Sequence, residues 1–142
     1  MALDSTGRTH WEGDLFKGSG TTSLESGAAQ PMQVTWEARA DEHGGITSPE
    51  ELIAAAHSAC YSMAFSNGLA KNETPPTSLD VTATATFVPG EGITTMRLQV
   101  VGTVDGISAE QFQELAEVAK DGCPVSKALQ GNVEISVAAS LT

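Results

Sequence analysis

One stretch of this chain, residues 48–65, predicts a helix that is small and apolar on nearly every face. Ser48 suits the N-cap, Pro49 the first helical position, and Glu51 follows the cap by three residues, as in a capping box. The residues behind them are small or apolar and include three consecutive alanines. A surface helix carries one apolar stripe, whereas a helix that is apolar all round is buried. We therefore expect the other elements to pack around this helix.

Composition limits the class of protein. A chain of 142 residues with 40% hydrophobic content predicts one folded domain over 1–142. The net charge of -11 argues against nucleic acid or an anionic membrane as partner, because both bind basic surfaces. No apolar run approaches the roughly 20 residues of a membrane span, and no signal-peptide pattern is visible. With only two cysteines the chain is not a disulfide scaffold. We expect a cytoplasmic protein.

Alternating apolar and polar residues predict strands on both sides of the central helix. Three strands are expected before it and three after it, over residues 8–17, 21–24, 33–39, 80–88, 93–104 and 133–139. The central helix should end between Asn67 and Lys71, and further helices should run from Ser108 to Gly122 and from Pro124 to Leu129. Short glycine turns imply antiparallel pairing. This order predicts an α+β fold with antiparallel sheets around the buried helix.

The two cysteines have different surroundings. Cys60 lies inside the apolar helix, where a free cysteine is often a small core residue. Cys123 directly precedes Pro124 and so suits a helix N-cap, where the helix dipole favours a thiolate; it could equally be a cap-and-turn residue. Their wide separation excludes a Cys-x-x-Cys motif, and closely paired zinc ligands are missing. A reactive cysteine with a second, resolving cysteine fits this pattern.

His57 offers a rival interpretation, because it lies three residues before Cys60 on the same helical face. A Cys60–His57 pair would suit a thiol hydrolase or an acyl-transfer enzyme. A packing or pocket-lining histidine is the interpretation that we favour. A non-catalytic binding domain is the third possibility.

Three segments of the chain resemble the OsmC/Ohr family of thiol-dependent peroxidases. Residues 48–63 resemble its signature helix, and Gly122-Cys123-Pro124-Val125-Ser126 resembles its second-cysteine motif. His10-Trp11-Glu12-Gly13-Asp14 is similar to the branch of osmotically inducible protein C in particular. The resemblance covers essentially the whole chain. It implies an OsmC-like fold and an intertwined two-fold dimer.

The resemblance also implies a reaction. Cys60 would reduce organic hydroperoxides, and hydrogen peroxide more weakly, becoming a sulfenic acid. Cys123 would then form a disulfide with Cys60, and an external dithiol, lipoyl-type in this family, would restore both thiols. No metal, haem or flavin is implied, and the setting would be oxidative or osmotic stress. The apolar neighbourhood of Cys60 predicts a substrate pocket lined by His57, Tyr61, Met63 and Phe65.

Arg39 and Glu50 correspond to the family's activating arginine and its carboxylate. A guanidinium beside a buried thiol lowers its pKa and polarises the peroxide, and a carboxylate can hold that guanidinium by a bidentate pair. The plainer interpretations are a solvated strand end for Arg39 and favourable charge at a helix N-terminus for Glu50.

The spacing of Glu50 and Cys60 bears on assembly. Ten residues of straight helix rise about 15 Å, so one arginine cannot contact both side chains closely. Either the helix is broken, or the carboxylate, with or without the arginine, comes from a second subunit. Small faces at Ala54-Ala55-Ala56 and Ala59 would let two such helices approach. We expect an isologous homodimer with two shared sites.

Overall fold

The computed structural model describes residues 1–142 and divides into two units, Met1–Leu52 and Ile53–Thr142. One domain over 1–142 stays a prediction. None of the helices combines the length and the apolar character that crossing a membrane requires. The elements in chain order are β1 Gly7–Glu12, β2 Ser19–Leu24, β3 Met32–Val34, α1 Trp36–Ala40, α2 Pro49–Lys71, β4 Ser78–Val88, β5 Gly92–Thr103, α3 Ala109–Gly122, α4 Pro124–Leu129 and β6 Glu134–Leu141.

The first unit contains a three-stranded antiparallel sheet in the order β1-β2-β3. The strand expected over 8–17 ends at Glu12, because Gly13 takes a left-handed φ of 89° and turns the chain. Asp14 holds that turn, since its Oδ1 accepts the backbone N–H groups of Phe16 and Lys17 at 2.9 and 3.0 Å. The prediction was therefore wrong about the length of this strand.

The strand expected over 33–39 is also wrong in its second half. β3 ends at Val34, and the helix α1 begins at Trp36. Thr35 is the N-cap of α1, and its Oγ1 accepts the backbone N–H of Ala38 at 3.1 Å. Arg39 thus lies in the last turn of a short helix rather than at a strand end.

The bounds predicted for the central helix are confirmed, since α2 runs unbroken from Pro49 to Lys71. Ser48 acts as expected, because its Oγ accepts the backbone N–H of Glu51 at 3.1 Å. The Glu51 carboxylate completes no capping box and instead accepts the Thr47 hydroxyl at 2.6 Å. A broken helix is excluded.

Within one chain, α2 is buried on one face only. His57, Tyr61, Phe65 and Leu69 have no exposed area. The opposite face is exposed and consists of small or apolar residues, namely Ala55, Ala56, Ala59 and Met63. All-round burial, as the sequence predicts, is therefore not achieved by a single chain.

The second unit contains the sheet β4-β5-β6. β4 and β5 pair antiparallel along their length, as predicted. β6 pairs parallel to β5, because α3 and α4 form the crossover that returns the chain to the start of the sheet. This parallel pair is an exception to the predicted antiparallel sheets, and the α+β class is confirmed.

The core of the second unit forms where α2 and α3 meet this sheet. The rings of Phe65 and Phe112 lie 4.9 Å apart, and those of Tyr61 and Phe65 lie 5.7 Å apart. Cys123 belongs to the same buried cluster, and Cys60 packs against it. Both cysteines are therefore held by one hydrophobic core.

Candidate active site

Cys60 lies in the middle of α2, on the border between its buried and exposed faces. Its side chain is half-buried and contacts the core cluster. The neighbouring Ala59 is exposed, whereas Tyr61 is fully buried. The thiol is thus fixed by packing on one side.

Cys123 lies at the junction of α3 and α4 and is fully buried. Its backbone N–H bonds the Ala119 carbonyl at 2.9 Å, and its carbonyl accepts the N–H of Lys127 at 3.0 Å. The predicted N-cap position is confirmed, and Pro124 begins α4. The Cys123 side chain makes no capping hydrogen bond.

The fold brings the two thiols into direct contact. Both cysteines are free, and the Cys123 side chain lies close enough to the Cys60 thiol to influence its pKa. The backbone N–H of Val125 also donates to the Cys60 sulfur. Burial raises the pKa of the Cys60 thiol and the Cys123 thiol raises it further, while the hydrogen bond from Val125 acts in the opposite direction. The net effect of these neighbours is to favour the protonated thiol.

Arg39 and Glu50 form an ion pair within the first unit. Arg39 Nε and Nη2 lie 2.9 and 2.8 Å from the same oxygen, Glu50 Oε1. The expected fork with two parallel bonds is therefore wrong, and the buried Glu50 Oε2 has no hydrogen-bond partner. Only 7% of the Glu50 side chain is exposed, against 34% for Arg39. Glu50 is both buried and paired, so favourable charge at a helix N-terminus does not fully account for it.

Arg39 also borders an apolar cavity of about 310 Å³ in the first unit. Two tryptophans and several aliphatic side chains line it, among them Trp11, Leu15, Val34, Trp36 and Leu52. The sequence analysis did not find this cavity. The signal available for it was the spacing of Trp11, Gly13 and Leu15, which occupy alternate positions and so share one face of the strand predicted over 8–17.

His57 is fully buried, and its Nε2 lies 2.8 Å from Ser126 Oγ. Its other nitrogen, Nδ1, has no hydrogen-bond partner. Burial lowers the pKa of the imidazole, which favours its neutral form. Neither ring nitrogen is therefore hydrogen-bonded to Cys60, and the geometry of a Cys–His nucleophile pair is missing. Ser126 is the last residue of the second-cysteine motif, but the sequence predicted no role for it.

The residues predicted to line a substrate pocket lie on two sides of α2. Tyr61 and Phe65 are fully buried with His57, and the Tyr61 hydroxyl donates to the Ala116 carbonyl at 2.9 Å. Met63 lies on the other side and is 72% exposed. The structure does not bring the four side chains to one surface, and their part in substrate binding stays a prediction. No group of three or more histidine, cysteine or acidic side chains is arranged to hold a metal ion.

Comparison with known proteins agrees with the sequence motifs. The family model described as "OsmC-like protein" matches residues 42–138. The peroxiredoxin OsmC of Escherichia coli K12 is 40% identical over 138 residues, which cover 95% of this chain and 96% of that protein. The organic hydroperoxide resistance protein OhrA of Bacillus subtilis 168 is 33% identical over 106 residues, or 70% of this chain and 71% of that protein.

The fold is shared with a solved structure. The solved structure of an organic hydroperoxide resistance protein OsmC from Legionella pneumophila matches with a TM-score of 0.73 at 20% identity. The match covers 99% of this chain and 98% of that one. The resemblance indicated by the cysteine motifs is therefore confirmed, and the chain belongs to the family of OsmC-like proteins.

Proposed function

We propose that this protein is a cysteine-based peroxidase that reduces organic hydroperoxides to alcohols. The observation that carries the proposal is the contact between two free thiols, Cys60 half-buried on α2 and Cys123 buried at the start of α4. The relatives named peroxiredoxin and organic hydroperoxide resistance protein support it. Those names also support a role in defence against oxidative stress.

The reaction has three steps, namely oxidation of Cys60, condensation of the two cysteines to a disulfide, and reduction of that disulfide. The Cys60 thiolate attacks the terminal peroxide oxygen, the O–O bond breaks, and the departing alkoxide takes a proton to become the alcohol. Cys60 is then a sulfenic acid. The Cys123 sulfur attacks the Cys60 sulfur, a disulfide forms, and the hydroxyl leaves as water. An external dithiol, lipoyl-type in our proposal, restores both thiols by exchange and is itself oxidised to a disulfide.

Cys60 needs a positive charge for the first step, because its immediate neighbours favour the protonated thiol. We assign that role to Arg39, held by Glu50. Since α2 is unbroken, the rise of about 15 Å between Glu50 and Cys60 favours a carboxylate and arginine from a second subunit. The exposed small and apolar face of α2 supports such a homodimer.

The cavity beside Arg39 supports an organic substrate. Its apolar lining would stabilise a hydrocarbon tail by about 25 cal/mol for each Å² buried, while the guanidinium faces the peroxide group. Hydrogen peroxide has no tail and gains nothing from this lining. We place the reaction in the cytoplasm, where thiols stay reduced between turnovers.

The test is rapid mixing of the reduced protein with cumene hydroperoxide and, separately, with hydrogen peroxide. We expect the wild type to react faster with cumene hydroperoxide and to form the Cys60–Cys123 disulfide. Cys60→Ser should be inactive, because an alcohol at that site is a poor nucleophile. Cys123→Ser should be oxidised once and leave a sulfenic acid that dimedone traps.

Two results would contradict the proposal. Normal turnover of Cys123→Ser with a dithiol would remove the resolving role, and a Cys60 rate no faster than that of a free thiol would favour a binding domain. Hydrolase activity that is lost in His57→Ala while peroxide reduction persists would instead support the thiol-hydrolase alternative.

A further inference from the structure

The second unit buries two polar side chains, His57 and Ser126, and they bond to each other. His57 has no exposed area and Ser126 is 4% exposed. Their 2.8 Å hydrogen bond joins α2 to α4. Polar groups are buried at a cost that only their hydrogen bonds offset, so a bonded pair at this position requires a reason.

The position of the pair relative to the cysteines gives that reason. His57 precedes Cys60 by three residues on α2, and Ser126 follows Cys123 by three residues in α4. Each partner is therefore about one helical turn from one reacting sulfur. Apart from the contacts of Cys60 itself, this is the only hydrogen bond between the two helices.

Condensation of the Cys60 sulfenic acid with Cys123 depends on that alignment. A disulfide forms only when the two Cα atoms lie about 4.4–6.8 Å apart with the side chains facing each other. α4 has six residues, and the Cys123 side chain makes no capping bond that would fix it. A bond one turn away on both helices keeps the start of α4 against α2 after Cys60 has become a sulfenic acid.

We propose that His57 and Ser126 are positioning residues for the resolving step, the attack of Cys123 on oxidised Cys60. This inference rests on the proposed peroxidase function and adds to it a hydrogen-bonded pair about one helical turn from the reacting sulfurs. It also predicts what a misaligned pair would do. A sulfenic acid that is not resolved reacts with a second hydroperoxide to give a sulfinic acid and another molecule of alcohol.

The test compares Ser126→Ala, His57→Gln and His57→Leu with the wild type in single-turnover mixing with cumene hydroperoxide. Samples quenched over time are analysed by mass spectrometry for the Cys60 sulfenic acid (as its dimedone adduct), the disulfide and the sulfinic acid. Ser126→Ala should oxidise Cys60 at the wild-type rate, and in both Ser126→Ala and His57→Leu the formation of the disulfide should be the step that slows. Disulfide formation should slow by about tenfold or more, because the effective concentration of two groups falls steeply with misalignment. The sulfinic acid should increase at high peroxide.

Three comparisons separate positioning from a general effect on structure. His57→Gln keeps a hydrogen-bonding group and should resolve faster than His57→Leu. The double variant His57→Leu/Ser126→Ala should be no slower than the slower single variant, because both remove one bond. Ser62→Ala is the matched control, since the Ser62 hydroxyl bonds only within α2, to the Ser58 carbonyl at 2.7 Å.

The outcomes are distinct. Disulfide formation at the wild-type rate in Ser126→Ala would overturn the inference, as would an equal slowing of Cys60 oxidation and disulfide formation in that variant. If Ser126→Ala does not fold, the rates of disulfide formation in His57→Gln and His57→Leu decide. Equal rates in these two variants would overturn the inference. A wild type that forms no disulfide with peroxide would instead refute the proposed function.

Discussion

Tyr61 joins α2 to α3 through a buried hydrogen bond. It is the only tyrosine of the chain, is fully buried, and donates its hydroxyl to the Ala116 carbonyl of α3. Burial raises its pKa, and the charges of Glu117 and Cys123 add to that shift. A phenol that must stay protonated to make its hydrogen bond links folding to pH.

The sign of that linkage is determined by the direction of the shift. A raised pKa means that the folded state binds the proton more tightly, so the stabilisation is complete below the unfolded value of about 10 and is lost at higher pH. We expect Tyr61→Phe to cost about 1 kcal/mol of unfolding free energy at neutral pH, from the lost hydrogen bond. Its stability should fall less than that of the wild type above about pH 10.

Urea unfolding at a series of pH values measures both quantities, and the ultraviolet absorbance of tyrosinate reports ionisation directly because only one tyrosine is present. The comparison with Tyr61→Phe removes the contributions of Lys120 and Cys60, whose pKa values are also raised. Tyrosinate formed with an ordinary midpoint in the folded protein would show that burial does not control Tyr61.

Candidate site residues could be identified from the sequence only where a motif marked them. Cys60 and Cys123 stand in distinctive segments, and the structure brings them together, while their roles stay predictions. His57 was ambiguous because its partner, Ser126, is distant in the chain, and only the packing of α4 on α2 shows which nitrogen is bonded. The direction of the Arg39 guanidinium could not be predicted. The sequence does not distinguish a pair in which two nitrogens bind one carboxylate oxygen from a pair that uses both oxygens.

At the scale of elements, α1 is the part that the sequence pattern concealed. Val34, Trp36 and Ala38 alternate like a strand, and a helix of five residues is too short to establish a 3.6-residue period. The cap at Thr35 was the available signal. The parallel direction of β6 was available too, because two helices between β5 and β6 make a crossover rather than a hairpin.

The cap of α1 can be tested through the residue that the helix carries. Thr35→Ala removes the oxygen that accepts the Ala38 N–H, and loss of an N-cap costs about 1 kcal/mol. Arg39 follows in the last turn of the same helix, so its pairing with Glu50 should loosen. We expect kcat/KM for cumene hydroperoxide to fall several-fold.

Thr35→Ser is the matched control, because it keeps the capping oxygen and should keep the activity. Steady-state kinetics with a dithiol reductant, together with hydrogen exchange at the α1 amides, measures the effect. Equal activity of the alanine and serine variants would mean that α1 does not need its cap to position Arg39.

At the scale of the whole molecule, the unusual property is apolar surface on an acidic protein. Phe16, Met63 and Val118 are large apolar residues that are each more than 65% exposed in one chain. The net charge of -11 opposes association, so a partner must supply enough apolar contact to outweigh that repulsion. The exposed alanines of α2 would allow the close approach of a second copy.

If the sites are shared across a dimer, two inactive variants should recover activity together. If Cys60 and Cys123 come from one subunit and Arg39 and Glu50 from the other, Cys60→Ser and Glu50→Ala inactivate different halves of each site. In a mixed dimer of the two variants, one of the two sites would then combine an intact cysteine pair with an intact carboxylate. Refolding the two inactive proteins together in equal amounts should restore about a quarter of the wild-type activity, since about half of the dimers are mixed.

The control for that experiment is a mixture of Cys60→Ser and Cys123→Ser. The two thiols contact each other within one chain, so no pairing of these variants restores a complete dithiol and the mixture should stay inactive. Native mass spectrometry establishes that mixed dimers are present. Full activity of a monomer would remove the shared site altogether. Mixed dimers without recovered activity would leave the dimer in place but would assign Glu50 either to the site of its own chain or to no part in the chemistry.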